Sequence, residues 1–312
     1  MKPRLPPSPA MWSTAALLTM LACKDKDPVD TGTAPPPPVD LLFLADDSLS
    51  MVEANAIIAF SFDELLADAD AAGVDLTVSM STLHVDDSAA GALIAGPVTP
   101  ADGADTLRDA FVCQGACWDE DEVASDPSFV CGDDPGDSIT AEYLTCVCGE
   151  SWWREDCSEG TEEPLEAALY SVCRALDDPS TTCVGSGFGT KEVLSNAGML
   201  REGATTHVML ISDEGDISRR LTAGESDVTL YLSAFEEVRP GLVFSAIGPP
   251  WSDISEAPCN IGGAEAWSAS RLQYAAEGTG GIWGPIAART DTSCELSDFQ
   301  SFTSQVIGLM GG

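Results

Sequence analysis

Basic residues are scarce in this chain: 14 Lys and Arg face 51 Asp and Glu, leaving a formal charge of −37. Such a polyanion repels phosphate backbones and anionic headgroups, which argues against nucleic acid or anionic lipid as a partner, and the charge reads as a solubility or salt adaptation. Histidine is nearly missing, with two in 312 residues. There is no G-x-S-x-G elbow to present a nucleophilic serine, and neither His84 nor His207 falls in a convincing loop to serve Ser48 or Ser50 as base. An enzymatic role is therefore not expected. No apolar run reaches the ~20 residues of a membrane-spanning helix. Paired C-x₂-C spacing is also lacking, since Cys113-x₃-Cys117 and Cys146-x-Cys148 differ from it, and this argues against zinc.

The N-terminal segment has a recognisable layout. Lys2 and Arg4 precede a short apolar core around Ala15–Ala22, the arrangement of a secretory signal spanning 1–23. Met20-Leu21-Ala22-Cys23 resembles a bacterial lipobox, with Met20 where Leu is usual; on that reading Cys23 is lipidated and tethers the chain to a membrane. The alternative is an ordinary cleaved signal with an incidental cysteine. Residues 24–38, with TGTAPPPP among them, form a polar, Pro-rich tether that cannot build a core. Of 11 cysteines, setting Cys23 aside leaves ten: Cys113, Cys117, Cys131, Cys146, Cys148, Cys157, Cys173, Cys183, Cys259 and Cys294. An even set in an exported chain implies disulfides formed in an oxidising compartment. Cys173 with Cys183, and Cys259 with Cys294, are plausible pairs.

The informative stretch is Val39–Met51, VDLLFLADDSLSM. Its apolar run lacks helical periodicity and reads as a strand covered on both faces. Asp46, Ser48 and Ser50 follow at i, i+2 and i+4 beyond its C-terminal end, where open α/β sheets place ligands. If the loop stays nearly extended, these side chains converge into a half-shell of oxygens suited to Mg²⁺, Mn²⁺ or Ca²⁺. A capped strand-to-helix turn accounts for the same residues, so the rest of a coordination shell must be found.

Beyond Met51, Val52–Ala72 reads as a helix and Val74–Leu83 as a second strand, a βαβ unit that implies a parallel sheet. Ala89–Pro97 reads as a hairpin or edge segment and Ala101–Phe111 as a short helix. Residues 113–157 then form a cysteine-rich insertion, with Trp118, Trp152 and Trp153, that cannot bury a core of its own. It is either a structural cap or a recognition surface. Thr161 stands before Pro164 and the helix Leu165–Leu176 as a candidate N-cap and also as a third hydroxyl for a metal, two roles that can hold together. Lys191–Arg201 reads as a helix or helix and turn. Thr206–Ser212 is a buried strand ending in Asp213-Glu214-Gly215-Asp216, with His207 as a satisfied core histidine. Asp213 is the natural ligand for a metal, directly or from its second sphere, and Glu214 and Asp216 are loop or supporting groups. Helices over Val228–Val238, Ala266–Glu277 and Leu296–Met310, and strands over Gly241–Gly248 and Gly281–Ile286, complete the chain.

With Asp46, Ser48, Ser50, Thr161 and Asp213 in that order at strand tips and loop-to-helix junctions, residues 39–312 resemble a von Willebrand factor type A domain. The five residues match its metal ion-dependent adhesion site, although the third loop reads Asp213-Glu214-Gly215 where Asp-Gly is usual. Together with the signal, tether and insertion, the chain resembles bacterial lipoproteins of this fold. The resemblance implies an α/β, doubly wound, mostly parallel sheet flanked by helices. It also implies a divalent cation, Mg²⁺ foremost, held by Ser48 and Ser50 directly, by Thr161 directly or through water, and by Asp46 and Asp213 largely through water. Such a shell leaves a vacancy for a partner protein's Asp or Glu carboxylate. The expectation is a membrane-tethered, metal-dependent protein-binding module of the cell envelope. The alternative is a structural envelope protein whose metal and disulfides only stabilise the fold.

Overall fold

In a computed structural model of the chain, the run Val39–Ala45 lies within strand β1 (Pro38–Ala45) at the middle of a mixed sheet. The structure describes residues 38–311 apart from 84, 86–89, 122, 134, 137, 151, 153–162, 178–180, 186–195, 219, 222–227, 250–265, 290–293 and 297. The signal and tether with Cys23, and also His84, Cys157, Thr161 and Cys259, lie outside the described residues. Alternation along β1 explains its largely apolar composition, interrupted by Asp40, which is buried and ion-paired with Arg201 at 2.7 Å. Val39, Leu41, Phe43 and Ala45 enter one core, while Leu42 and Leu44 enter the other. Burying such a side chain contributes roughly 1.5–3 kcal/mol, so a strand with no polar face is held from both sides.

Helix α1 (Val52–Ala71) returns the chain to β2 (Asp75–Thr82), parallel to β1, and β3 (Leu93–Val98) closes that edge antiparallel. On the other side of β1 lies β4 (Thr205–Ile211), then β5 (Val243–Gly248) and β6 (Trp283–Pro285), all parallel. The order β3-β2-β1-β4-β5-β6 runs outward in both directions from β1 and β4, which makes the fold doubly wound among the described residues. Helix α1 and the C-terminal helix (Phe299–Gly311) cover one face. The opposite face is covered by helices Pro164–Ala175, Thr229–Val238 and Ala266–Thr279. No described helix is long and apolar enough to cross a membrane.

The insertion joins the first core instead of standing apart. After α2 (Asp105–Ala110), helix α3 (Ala141–Cys148) and the residues around it contribute Trp118, Ile139, Tyr143, Leu144 and Trp152 to the core that contains Phe43 and Phe62. Disulfides Cys113–Cys148 and Cys131–Cys146 staple it, Cys117 is also disulfide-bonded, and Cys173 bonds Cys183 as expected. The side chain of Cys294 lies outside the described residues, so its pairing with Cys259 is untouched.

Two local expectations change and a third narrows. Of the helix or helix and turn expected over Lys191–Arg201, residues 191–195 lie outside the described residues and 196–200 are turn and bend: the buried Asn196 amide donates to Gly91 O (2.8 Å) and Ser171 O (2.9 Å), and Gly198 takes φ +88°. A side chain that anchors two distant carbonyls, followed by a left-handed glycine, ends any helical run. The helix from Pro164, named α4 here, has Glu163 and not Thr161 as its N-cap. The strands β7 (Ala287–Arg289) and β8 (Cys294–Leu296) form an antiparallel pair with no counterpart in the sequence reading.

Candidate metal centre

The C-terminal ends of β1 and β4 are the point where the strand order reverses, and two acids stand there, Asp46 and Asp213. The loop after β1 does not remain extended. Ser48 is extended (φ −74°, ψ 150°), but Leu49–Met51 is a 3₁₀ turn that leads into α1. Even so, the hydroxyls of Ser48 and Ser50 lie 3.0 Å apart, and Ser50 Oγ donates to Asp213 Oδ1 at 3.1 Å. Asp46 Oδ1 accepts from Ser48 N at 3.0 Å, the turn-capping bond of an Asp two residues upstream, so the capping explanation of Asp46 also holds. Ser212 Oγ donates to Asp46 Oδ2, which connects the first and third loops directly.

Asp46, Ser48 and Asp213 are buried, whereas Ser50 is exposed, so the cluster opens to solvent on one side. Asp213 Oδ2 is buried and has no hydrogen-bond partner. Burial first, and then the nearby charge of Asp46, push the Asp213 carboxyl up to about 7, partly offset by the Ser50 bond. Burial also raises Asp46, against the bonds from Ser212 and Ser48. Two carboxylates in one desolvated corner disfavour each other's charge, and a nearby cation would reverse that preference.

Of the five expected site residues, four are therefore gathered: Asp46, Ser48, Ser50 and Asp213. Thr161 lies outside the described residues. Among the described residues no three His, Cys, Asp or Glu side chains converge as a metal site, and the cluster here is built from two acids and two hydroxyls. An oxygen-only set with one unpartnered buried carboxylate oxygen fits Mg²⁺, Mn²⁺ or Ca²⁺ chemically.

The third loop also contains a network that sequence reading missed. Asp216, fully buried, forms an ion pair with Arg271 of the helix Ala266–Thr279 at 2.9 Å, and accepts Leu165 N at 3.2 Å. Ser218 Oγ accepts Glu166 N at 3.1 Å. The first-turn N–H groups of α4, orphaned in any helix, are thus capped by a loop some fifty residues further along the chain. Burial pushes Asp216 up to about 6, opposed chiefly by Arg271. Glu166 in turn accepts from Tyr231 Oη (2.9 Å) and Arg220 Nε (3.2 Å). A lone arginine in the otherwise neutral segment Ala266–Ala276 was the available signal. His207 is buried but not satisfied: its Nδ1 has no partner, and burial lowers it to about 4.

The insertion begins against this corner. Asn55 Nδ2 on the first turns of α1 donates to Cys117 O at 2.9 Å, and a Cβ on Gly115 would lie 3.0 Å from Ala45 Cβ at the end of β1.

No protein-family profile and no curated protein matches the chain. Among solved structures it is similar to the human COPII-coat protein Sec24c, at TM-score 0.37 and 11% identity, over 89% of this chain and 32% of that one. The chain thus spans about a third of the length of that structure's chain.

Proposed function

We propose that this protein is a divalent-cation-dependent protein-binding module of the von Willebrand factor type A kind. It is exported through its N-terminal signal and tethered to the cell envelope at Cys23. One observation carries the reading: Asp46, Ser48 and Ser50 from one loop and Asp213 from another, 163 residues beyond Ser50, meet in a single hydrogen-bonded cluster at the sheet's reversal point. Ser48, Ser50 and Asp213, with Asp46 behind them and Thr161 as the further hydroxyl, would hold Mg²⁺, Mn²⁺ or Ca²⁺. The bound cation supplies an open Lewis-acidic position for an anionic oxygen. Mostly neutral hydroxyls around it leave it under-neutralised, and the exposure of Ser50 leaves room for a partner's Asp or Glu carboxylate.

A nucleophilic serine is not supported. Ser48 and Ser50 bond each other, Ser50 donates to Asp213, and His207 lies within β4 with Nδ1 unpartnered. The reading is tested by crosslinking and pull-down from the native envelope with Mg²⁺, with EDTA, and with the Ser48→Ala/Ser50→Ala variant. A partner captured only by the wild-type chain in Mg²⁺ is the expected result. Identical catches in all three would refute it. A metal that raised the melting temperature but left capture unchanged would favour the purely structural role.

A further inference from the structure

We propose that Ser212 is a positioning residue of the metal centre; this rests on reading that centre as a divalent-cation site. Ser212 follows β4 directly and is itself fixed, its backbone N donating to Ile247 O of β5 at 3.1 Å, with 1% of its surface exposed. Its hydroxyl accepts from Glu214 N at 3.0 Å and donates to Asp46 Oδ2 at 2.5 Å, while Glu214 O, the other acceptor in reach, is 3.4 Å away. A hydroxyl has a single proton to give. With an N–H already on one lone pair and a carboxylate as the nearest acceptor, that proton goes to Asp46.

Asp46 is consequently gripped at both oxygens, Oδ1 by Ser48 N from its own loop and Oδ2 by Ser212 from the loop that carries Asp213. The second grip ties the two halves of the centre to each other. Without it, Asp46 is held only within its own turn, and its carboxylate is linked to Asp213 only indirectly, through Ser48 and Ser50. An outer partner that orients a ligand in this way typically accounts for ~10–100-fold in metal affinity.

The test compares Ser212→Thr with Ser212→Val in the full chain, two variants of one shape that differ in the hydroxyl. Mn²⁺ affinity is read by electron paramagnetic resonance, and melting is followed in EDTA. The expected result is wild-type-like affinity for Ser212→Thr and a ~10–100-fold weaker affinity for Ser212→Val, with matched melting in EDTA. Equal Mn²⁺ affinity in the two variants would overturn the proposal while leaving the site intact. Should Ser212→Val fail to melt cooperatively, Ser212→Ala is held to the same criterion against Ser212→Thr. A wild-type chain that binds no Mn²⁺ would instead overturn the metal reading itself, before any variant is compared.

Discussion

Ser50 Oγ donates to Asp213 Oδ1 at 3.1 Å, closing a contact between loops 163 residues apart. Because Asp213 is already held at one oxygen and desolvated, what happens to its other oxygen decides the chemistry of the corner.

The proton on Asp213 is the first competitor of a cation. Burial and the Asp46 charge push this carboxyl up to about 7 in the metal-free protein, so below that pH a metal must displace a proton. Apparent Mn²⁺ affinity should rise roughly tenfold per pH unit toward 7 and level off above it. Titrations from pH 5.5 to 8.5 at fixed ionic strength check this, and a flat profile would contradict it.

Replacing Asp213 by Asn keeps an acceptor for Ser50 and removes the repulsion with Asp46. At pH 8 in EDTA, where the wild-type carboxyl must ionise, Asp213→Asn should be the more stable by about 1–2 kcal/mol, roughly 2–4 °C in Tm. Adding Mg²⁺ should stabilise the wild type and leave the variant unmoved. Scanning fluorimetry in both buffers reads each effect.

His207 gives the opposite dependence on pH. Its folded value of about 4 lies below the ordinary 6.5, so the unfolded chain binds the extra proton between those values and stability falls as pH drops through that window. His207→Leu escapes this cost. Relative to wild type it should gain about 2 kcal/mol more at pH 5 than at pH 7.5, measured by urea unfolding.

The Asp216–Arg271 pair is buried at both ends, with Leu165 N and Ser218 O also satisfied by it. Arg271→Leu leaves the buried Asp216 carboxyl without its cation and should cost about 3–5 kcal/mol. The double variant Asp216→Asn/Arg271→Leu should recover part of that loss. Strictly additive losses in the unfolding cycle would mean that the two side chains act independently.

Much of the architecture was legible because period and burial coincide. The run Val39–Ala45 is apolar except for Asp40, and Val208–Ile211 of β4 is apolar throughout, since both faces are covered. Asp46, Ser48, Ser50 and Asp213 could be found because each follows such a run at a strand tip. What could not be read depends on contacts between distant segments. The cap of α4, for one, comes from Asp216 and Ser218. Ser212 looked like the last residue of a strand, and only its meeting with Asp46 gives it a role. The insertion, short of apolar runs, reached a core by lending its few aromatics to the one already built around Phe43.

Calorimetric titration of the full chain with Mn²⁺ at pH 7.5 and near-physiological salt, in wild type and in Ser48→Ala/Ser50→Ala, addresses the central claim most directly. One ion per chain, displaced by Mg²⁺ or EDTA and lost in the double variant, is the predicted result. No saturable heat in the wild type, or the same isotherm in the variant, would contradict it.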